Sequence, residues 1–176
     1  MLRYALVFGA IPGLVVISVM IAGFVLGDGE IPSGSEAVGF LTMFIAFSLI
    51  FVGVKRYRDK ERGGVVTFWA AFGLGAAMAA VAGVFYVAAW EAYLAATDYA
   101  FMSNYAEASL AQKRAAGASE EALASHAARM AEMAEAYANP LFRLPITFSE
   151  IFPVGLVVAL ASAAILRNPK AFPAKA

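Results

Sequence analysis

The fold is decided by one stretch of the chain, residues 65–90, which read VVTFWAAFGLGAAMAAVAGVFYVAAW. No charged residue interrupts these 26 residues. A helix of this length rises about 39 Å, whereas the hydrocarbon core of a bilayer is about 30 Å thick. The stretch therefore predicts a transmembrane helix that is long enough to tilt.

Three further stretches have the same character. Residues 4–26 and 37–54 carry no charge, and residues 146–166 carry only Glu150, which lies close to their start. None of them alternates apolar and polar residues as a membrane β-strand does. The first is longer than the apolar region of a signal peptide, so we expect it to be retained. The sequence thus predicts an all-α membrane protein with four transmembrane helices, because a lone apolar segment in lipid must satisfy its own backbone hydrogen bonds.

The composition agrees with this interpretation and excludes other classes. The chain has 176 residues, of which 62% are hydrophobic and only 15% are charged, so a soluble globular domain is nearly excluded. The 13 basic residues balance the 13 acidic ones, and we expect no nucleic-acid partner. The absence of cysteine excludes a disulfide framework and a thiol nucleophile. The length favours a single membrane domain, residues 1–176.

The basic residues indicate how the helices are oriented. Nine of the 13 flank the predicted helices on one side: five in residues 55–62 and the others at Arg3, Arg167, Lys170 and Lys175. The turn at residues 27–36 contains only acidic charges. The positive-inside rule therefore places both termini and the basic loop in the cytoplasm. The short connections predict an up-down antiparallel bundle.

The segment between the third and fourth spans, about residues 98–140, predicts an extracytoplasmic helical hairpin. Its first helix covers residues 103–116 and ends at Gly117, a residue typical of a helix C-terminus. Its second helix begins after Ser119, a residue typical of an N-cap, and continues to about Ala138. We expect this hairpin to need support, because a segment of about 40 residues rarely buries enough surface to fold alone.

The sequence allows three ways in which the hairpin could be supported. It could pack on the outer ends of its own transmembrane helices, dock on a protein partner in the envelope, or lie on the lipid surface. The last is disfavoured, because such helices usually have a polar face rich in Lys and Arg.

Two carboxylates near the predicted outer boundary, Glu91 and Glu150, are the candidate site. Glu150 lies three residues before Pro153, which has no N–H and leaves the carbonyl of Ser149 without its helical partner. Such carboxylates could bind a cation, an amine headgroup or a peptide; equally, they could be solvated at the interface or pair with Arg143. The residues of this possible ligand or interaction site are Glu150, Glu91, Trp90, Tyr93, Ser149 and Arg143.

No residue pattern predicts catalysis or a cofactor. His126 is the only histidine, and it has no cysteine with which to share a metal. There is no G-x-S-x-G nucleophile motif and no phosphate-binding loop. We therefore expect no catalytic residue, no cofactor and no metal ligand, and we expect that the protein is not an enzyme.

Small residues recur four positions apart along several predicted helices. Such rows let helices approach closely, either within one chain or between copies. The residues that could form a homo-oligomer seam are Gly9, Gly13, Gly75, Ala79 and Gly83.

Three strings resemble a known family. They are GGVVTF at residues 63–68, GASEE at residues 117–121 and TFSEIFPVG at residues 147–155. Together with the order of the elements, they resemble the bacterial four-helix membrane family known as domain of unknown function 4199. The resemblance covers nearly the whole chain and implies a bacterial inner-membrane location. It implies no biochemical function and no catalytic residues.

Two functions follow as expectations. The first is a non-enzymatic inner-membrane protein that acts through protein or lipid contacts of its extracytoplasmic insert. The second is a small oligomeric transporter or channel with Glu91 and Glu150 at its outer mouth.

Overall fold

The computed structural model describes residues 1–26 and 35–173, and within this part of the chain the secondary structure is entirely helical. The helices are α1 Leu2–Leu26, α2 Ser35–Glu61, α3 Phe68–Ala96, α4 Phe101–Ala115, α5 Glu120–Ala138 and α6 Pro140–Leu166. Most of the predicted acidic turn, residues 27–34, and Lys175 lie outside the described residues. Four of the helices, α1, α2, α3 and α6, are long and apolar enough to cross a membrane, as predicted.

The basic stretch after the second span is helical and was wrongly predicted to be a loop. Helix α2 continues through it to Glu61, so the cations of its last turn are Arg58 and Lys60. Lys, Arg and Glu are good helix formers, and the end of an apolar run is therefore not the end of a helix. The chain turns instead at Gly63 and Gly64, whose φ angles of 61° and 86° suit glycine.

Local capping shifts the ends of the other spans. Helix α3 begins at Phe68 rather than residue 65, because the Thr67 side chain accepts a hydrogen bond from the backbone N–H of Ala70. Helix α6 begins at Pro140 rather than residue 146, because the Asn139 side chain caps it and proline suits the first helical position.

The hairpin helices lie close to their predicted positions. Helix α4 begins two residues early, at Phe101, and the chain turns at Gly117 with a φ of 79°. Helix α5 is capped by Ser119, whose side chain accepts a hydrogen bond from the backbone N–H of Ala122. Both signals for the hairpin turn were correct.

Small residues bring the apolar helices together within one chain. A Cβ on Gly9 of α1 would meet the backbone of Met78 in α3, and one on Gly75 of α3 would lie 2.8 Å from Ala159 in α6. The other small residues of the predicted seam also pack inside the chain: Gly13 against Ala82, Ala79 against Gly155 and Gly83 against Phe148. The homo-oligomer seam stays a prediction, but these surfaces already have intramolecular partners.

The contacts also give the relative directions of the helices. Residue numbers rise together between α1 and α3, from Gly9 beside Met78 to Phe24 beside Trp90. They run in opposite directions between α3 and α6, from Gly75 beside Ala159 to Glu91 beside Arg143. Helix α3 therefore runs parallel to α1 and antiparallel to α6.

The outer surface of the four long helices is apolar. Large exposed apolar side chains occur on each of them, and Trp69 of α3 is 76% exposed. Contiguous exposed apolar surface of this extent is unusual on a soluble monomer and marks a face that contacts lipid or another protein.

Candidate functional site

Arg143 of α6 is the centre of the candidate site, and only 4% of its surface is exposed. Its Nε donates a hydrogen bond to Oε1 of Glu91 at 2.6 Å, and its Nη2 donates to Oε2 at 2.8 Å. The two parallel bonds form the bidentate arrangement that is strongest between arginine and a carboxylate. Arg143 therefore joins the start of α6 to the last part of α3.

The same guanidinium also holds the hairpin. Its Nη1 donates a hydrogen bond to the backbone carbonyl of Tyr137 at 2.9 Å, in the last turn of α5. The carbonyls of a last turn have no helical partner, and a cation there is favoured by the helix dipole. The Cζ of Arg143 lies 5.2 Å from the ring centroid of Tyr99 and 5.7 Å from that of Tyr137, within cation–π range.

Trp90 forms a second link between the hairpin and the long helices. Its Nε1 donates a hydrogen bond to the Tyr137 hydroxyl at 2.6 Å. Its ring stacks on Tyr93 with centroids 5.3 Å apart and meets Phe101 edge-on at 4.8 Å. Phe24 of α1 packs against both Trp90 and Phe101. This aromatic cluster fixes the start of α4 and the end of α5 on the ends of α1 and α3.

A half-open cleft of about 240 Å³ lies at the base of the hairpin. It is lined by Leu94, Tyr99, Met102, Ser103, Ala134, Tyr137, Ala138 and Arg143. The backbone at its edge is strained, because Asp98 and Tyr99 have φ angles of 49° and 56°. Such left-handed residues cluster at functional sites, where the surrounding structure holds them.

Glu150 lies apart from this cluster. Tyr86 is a buried residue of α3. Its hydroxyl donates a hydrogen bond to Oε2 of Glu150 at 2.9 Å and lies 3.1 Å from the sulfur of Met20. Glu150 is seven residues after Arg143, which corresponds to about 10 Å along α6. It also lies about three turns inside the helix rather than one, because α6 begins at Pro140. The two predicted carboxylates thus belong to different contacts.

The remaining predicted residues divide between these two places. Trp90, Tyr93 and Arg143 lie together with Glu91, whereas Ser149 is exposed beside Glu150 and donates its hydroxyl to the carbonyl of Ile146. Between the two places, the Thr147 hydroxyl is buried and has no hydrogen-bond partner among the described residues.

Sequence reasoning missed the roles of Tyr99 and Tyr137 at this site. Tyrosines are common at membrane boundaries, so their presence is a signal of depth. That signal does not tell which tyrosine covers the arginine, because the arrangement depends on the fold of the hairpin.

A further polar contact joins the two helices of the hairpin. Ser109 Oγ of α4 and His126 Nε2 of α5 lie 2.7 Å apart. Loss of solvent lowers the pKa of His126, and the nearby charges of Lys113 and Arg129 lower it further. The neutral imidazole is therefore favoured at this contact.

The described residues contain no group of three or more His, Cys, Asp or Glu side chains that could hold a metal. The arrangement around Arg143 holds the base of the hairpin against α3 and α6. Its arginine is engaged with the Glu91 carboxylate and with the backbone carbonyl of Tyr137.

Four helices that are long and apolar enough to span a membrane indicate a multi-pass helical membrane protein. The chain belongs to the family described as "Protein of unknown function (DUF4199)", which matches residues 7–168. The resemblance drawn from the three sequence strings is thereby confirmed. Neither the curated proteins nor the solved structures contain a match.

Proposed function

We propose that the protein is a non-enzymatic protein of the bacterial inner membrane that binds a protein partner through its α4–α5 hairpin. In this proposal, the four long helices form an up-down bundle with both termini in the cytoplasm, and the hairpin lies on the extracytoplasmic side.

The clustering of basic residues at one end of the molecule supports this orientation. The start of α1, the end of α2 and the chain after α6 meet there, as the bonds from Tyr4 to Glu61 and from Arg58 to the carbonyl of Ala171 indicate. Basic segments next to transmembrane helices are retained in the cytoplasm. The opposite end, which holds the hairpin, is then extracytoplasmic.

One observation carries the proposed activity: the hairpin is fixed at its base, but almost none of its side chains is fully buried. Helix α4 contains no buried residue and α5 contains only Leu123. Arg143 and Trp90 nevertheless hold its base through hydrogen bonds. A surface that is already ordered loses little conformational entropy when a partner binds.

Photo-crosslinking in living cells tests this proposal. A photoreactive amino acid is placed at Ala111 or Ala124, which are exposed on the hairpin, and at Val157 or Leu160, which are exposed on α6. We expect the same discrete protein adduct from both hairpin positions and none from the α6 positions. No discrete adduct from the hairpin, or equal adducts from α6, would contradict the proposal.

A second candidate function is a small oligomeric transporter or channel with Glu91 and Glu150 at its outer mouth. The exposure of Glu150 favours it, because a carboxylate about 24 Å along α6 from Leu166 lies within the depth of the hydrocarbon core. Intramembrane carboxylates often mark ion pathways. Against it, Arg143 engages Glu91, and Gly75 and Gly155 close the α3–α6 interface beyond Glu150.

Ion flux into proteoliposomes distinguishes the two functions. Flux by the wild-type protein that is lost in Glu150→Gln would favour the transporter. Absence of flux in both, together with the hairpin adduct, would favour the binding protein.

A further inference from the structure

Three aromatic rings form a continuous row between α1 and α2, at the end of the molecule opposite the hairpin. Phe8 stacks on Tyr4 with ring centroids 6.2 Å apart, and Tyr4 meets Tyr57 edge-on at 5.6 Å. We call Phe8, Tyr4 and Tyr57 the aromatic row.

An arginine covers each end of the aromatic row. The Cζ of Arg56 lies 5.7 Å from the ring centroid of Phe8, and the Cζ of Arg62 lies 5.8 Å from that of Tyr57. Both arginines are exposed, and among the described residues neither forms an ion pair with a carboxylate. In this they differ from Arg58 and Arg143, which are buried and paired with acidic residues.

Among the described residues, no carboxylate lies within ion-pair distance of these two guanidiniums, and Glu61 accepts a hydrogen bond from Tyr4 of the aromatic row instead. A ring face attracts the guanidinium through its π electrons and leaves the N–H groups in the plane of the guanidinium unused. Those N–H groups match the geometry of phosphate oxygens. Contact with the ring also restricts the side chain before the anion arrives, which reduces the entropy lost on binding.

The neighbouring surface of α1 is apolar. Leu2, Leu6 and Val7 adjoin the aromatic row in sequence and are exposed. Arg3 and Lys60 add two exposed positive charges at the same end. A cationic surface beside exposed aliphatic side chains matches a phosphate group joined to acyl chains better than it matches a free phosphate ion.

We propose that Arg56 and Arg62, each held against one end of the aromatic row, bind the phosphate headgroups of anionic phospholipids. The occupant is a lipid because the arginines lie at the end of helices that are apolar enough to span a bilayer. The lipid site requires only that α1 and α2 lie in the bilayer. It depends neither on the hairpin partner nor on the orientation of the chain.

Native mass spectrometry of the full chain in detergent tests the lipid site. The probes are phosphatidylglycerol, phosphatidylcholine and inorganic phosphate, each added alone. We expect the wild-type protein to retain phosphatidylglycerol in preference to the other two. The double variant Arg56→Gln, Arg62→Gln should retain it less by about fivefold per arginine, which corresponds to the attraction of one basic residue to an anionic membrane surface.

Two further variants separate a built site from general attraction. The double variant Arg114→Gln, Arg129→Gln removes the same charge from the hairpin and should retain phosphatidylglycerol as the wild-type protein does. Phe8→Leu keeps every charge but removes the ring under Arg56, so it should lower retention by about two- to fivefold.

Several outcomes would overturn the lipid site. These are an equal loss in both double variants, retention unchanged by Phe8→Leu, or equal retention of phosphatidylglycerol and phosphatidylcholine. Retention of inorganic phosphate at the level of phosphatidylglycerol would show that the arginines bind a free anion instead. Because Phe8→Leu preserves all charges, it remains informative if the arginine double variant does not fold.

Discussion

Arg143 is a buried cation, and each of its polar contacts reaches beyond its own helix. Removing a guanidinium from water is costly, and the cost is offset here by the Glu91 carboxylate, the Tyr137 carbonyl and two ring faces. The sequence placed Glu91 and Arg143 near the same boundary, and their pairing was one of the open alternatives. The sequence did not show that Glu150 lies apart from this pair, because its distance from Arg143 depends on the start of α6 at Pro140.

Glu91→Gln tests the importance of this contact for stability. The substitution preserves the shape of the side chain but leaves the buried guanidinium without its counter-charge. We expect a loss of about 2–4 kcal/mol in the free energy of unfolding, measured by thermal or denaturant unfolding in detergent. The matched control Glu132→Gln, at an exposed position of α5, should change it by less than about 0.5 kcal/mol. Equal unfolding midpoints for the two variants would refute the structural role of Glu91.

Arg58 forms a comparable contact at the other end of the molecule. It is fully buried, pairs with Asp59, and donates hydrogen bonds to the backbone carbonyls of Ala171 and Phe172. Arg58→Lys keeps the charge but cannot reach both carbonyls and the carboxylate together. We expect trypsin to cleave after Lys170 about tenfold faster, because one or two buried hydrogen bonds are lost. The exposed control Arg3→Lys should leave that rate unchanged, and an unchanged rate in Arg58→Lys would be inconsistent with the contact.

Helix ends are the elements that the sequence predicted least well. Hydropathy located the four spans, but it placed the end of α2 at residue 54 and the start of α6 at residue 146. Charged residues continue a helix as readily as apolar ones, and caps such as Asn139 act over only a few residues. The hairpin was predicted better, because Gly117 and Ser119 are specific signals for a turn and a cap.

Helix packing depends on individual glycines, and Gly13 and Gly73 provide a test position and its control. A Cβ on Gly13 would overlap the backbone of Ala82, which cannot move aside, whereas nothing lies within 4 Å of a Cβ on Gly73. Gly13→Ala should therefore lower the free energy of unfolding by about 1–3 kcal/mol. Gly73→Ala should raise it by up to about 1 kcal/mol, because alanine is the better helix former. Shifts of the same sign in detergent unfolding would contradict this account of the α1–α3 contact.

The α4–α5 contact should weaken in acid. The pKa of His126 is below its ordinary value of 6.5, so the unfolded hairpin takes up a proton more readily than the folded one. The stability that the neutral His126 gives to the α4–α5 contact is fully present above the ordinary pKa of 6.5. It is lost as the pH falls from there toward the lowered pKa of the folded state. Hydrogen exchange of α4 and α5 amides, corrected for its intrinsic pH dependence, should show less protection at about pH 5.5 than at about pH 7.5. In His126→Gln this difference should vanish; its persistence would rule out His126 as the cause.

For the molecule as a whole, the sequence predicted the individual helices better than the contacts between them. The helical class, the four spans and the family follow from apolar length and from three short strings. The meeting of Arg143 with Tyr99, or of Arg56 with Phe8, depends on helix register and on turns far apart in the chain. No local pattern encodes such contacts.

The central claim is that the hairpin and the basic end lie on opposite sides of the membrane. The absence of cysteine from the sequence allows this claim to be tested directly. Single cysteines are introduced at two exposed positions, Ala116→Cys at the tip of the hairpin and Lys60→Cys near the end of α2. Intact spheroplasts are then treated with a membrane-impermeant maleimide, before and after permeabilisation. We expect Ala116→Cys to react before permeabilisation and Lys60→Cys to react only after it. Labelling of Lys60→Cys in intact spheroplasts, with Ala116→Cys protected until the membrane is opened, would contradict the account.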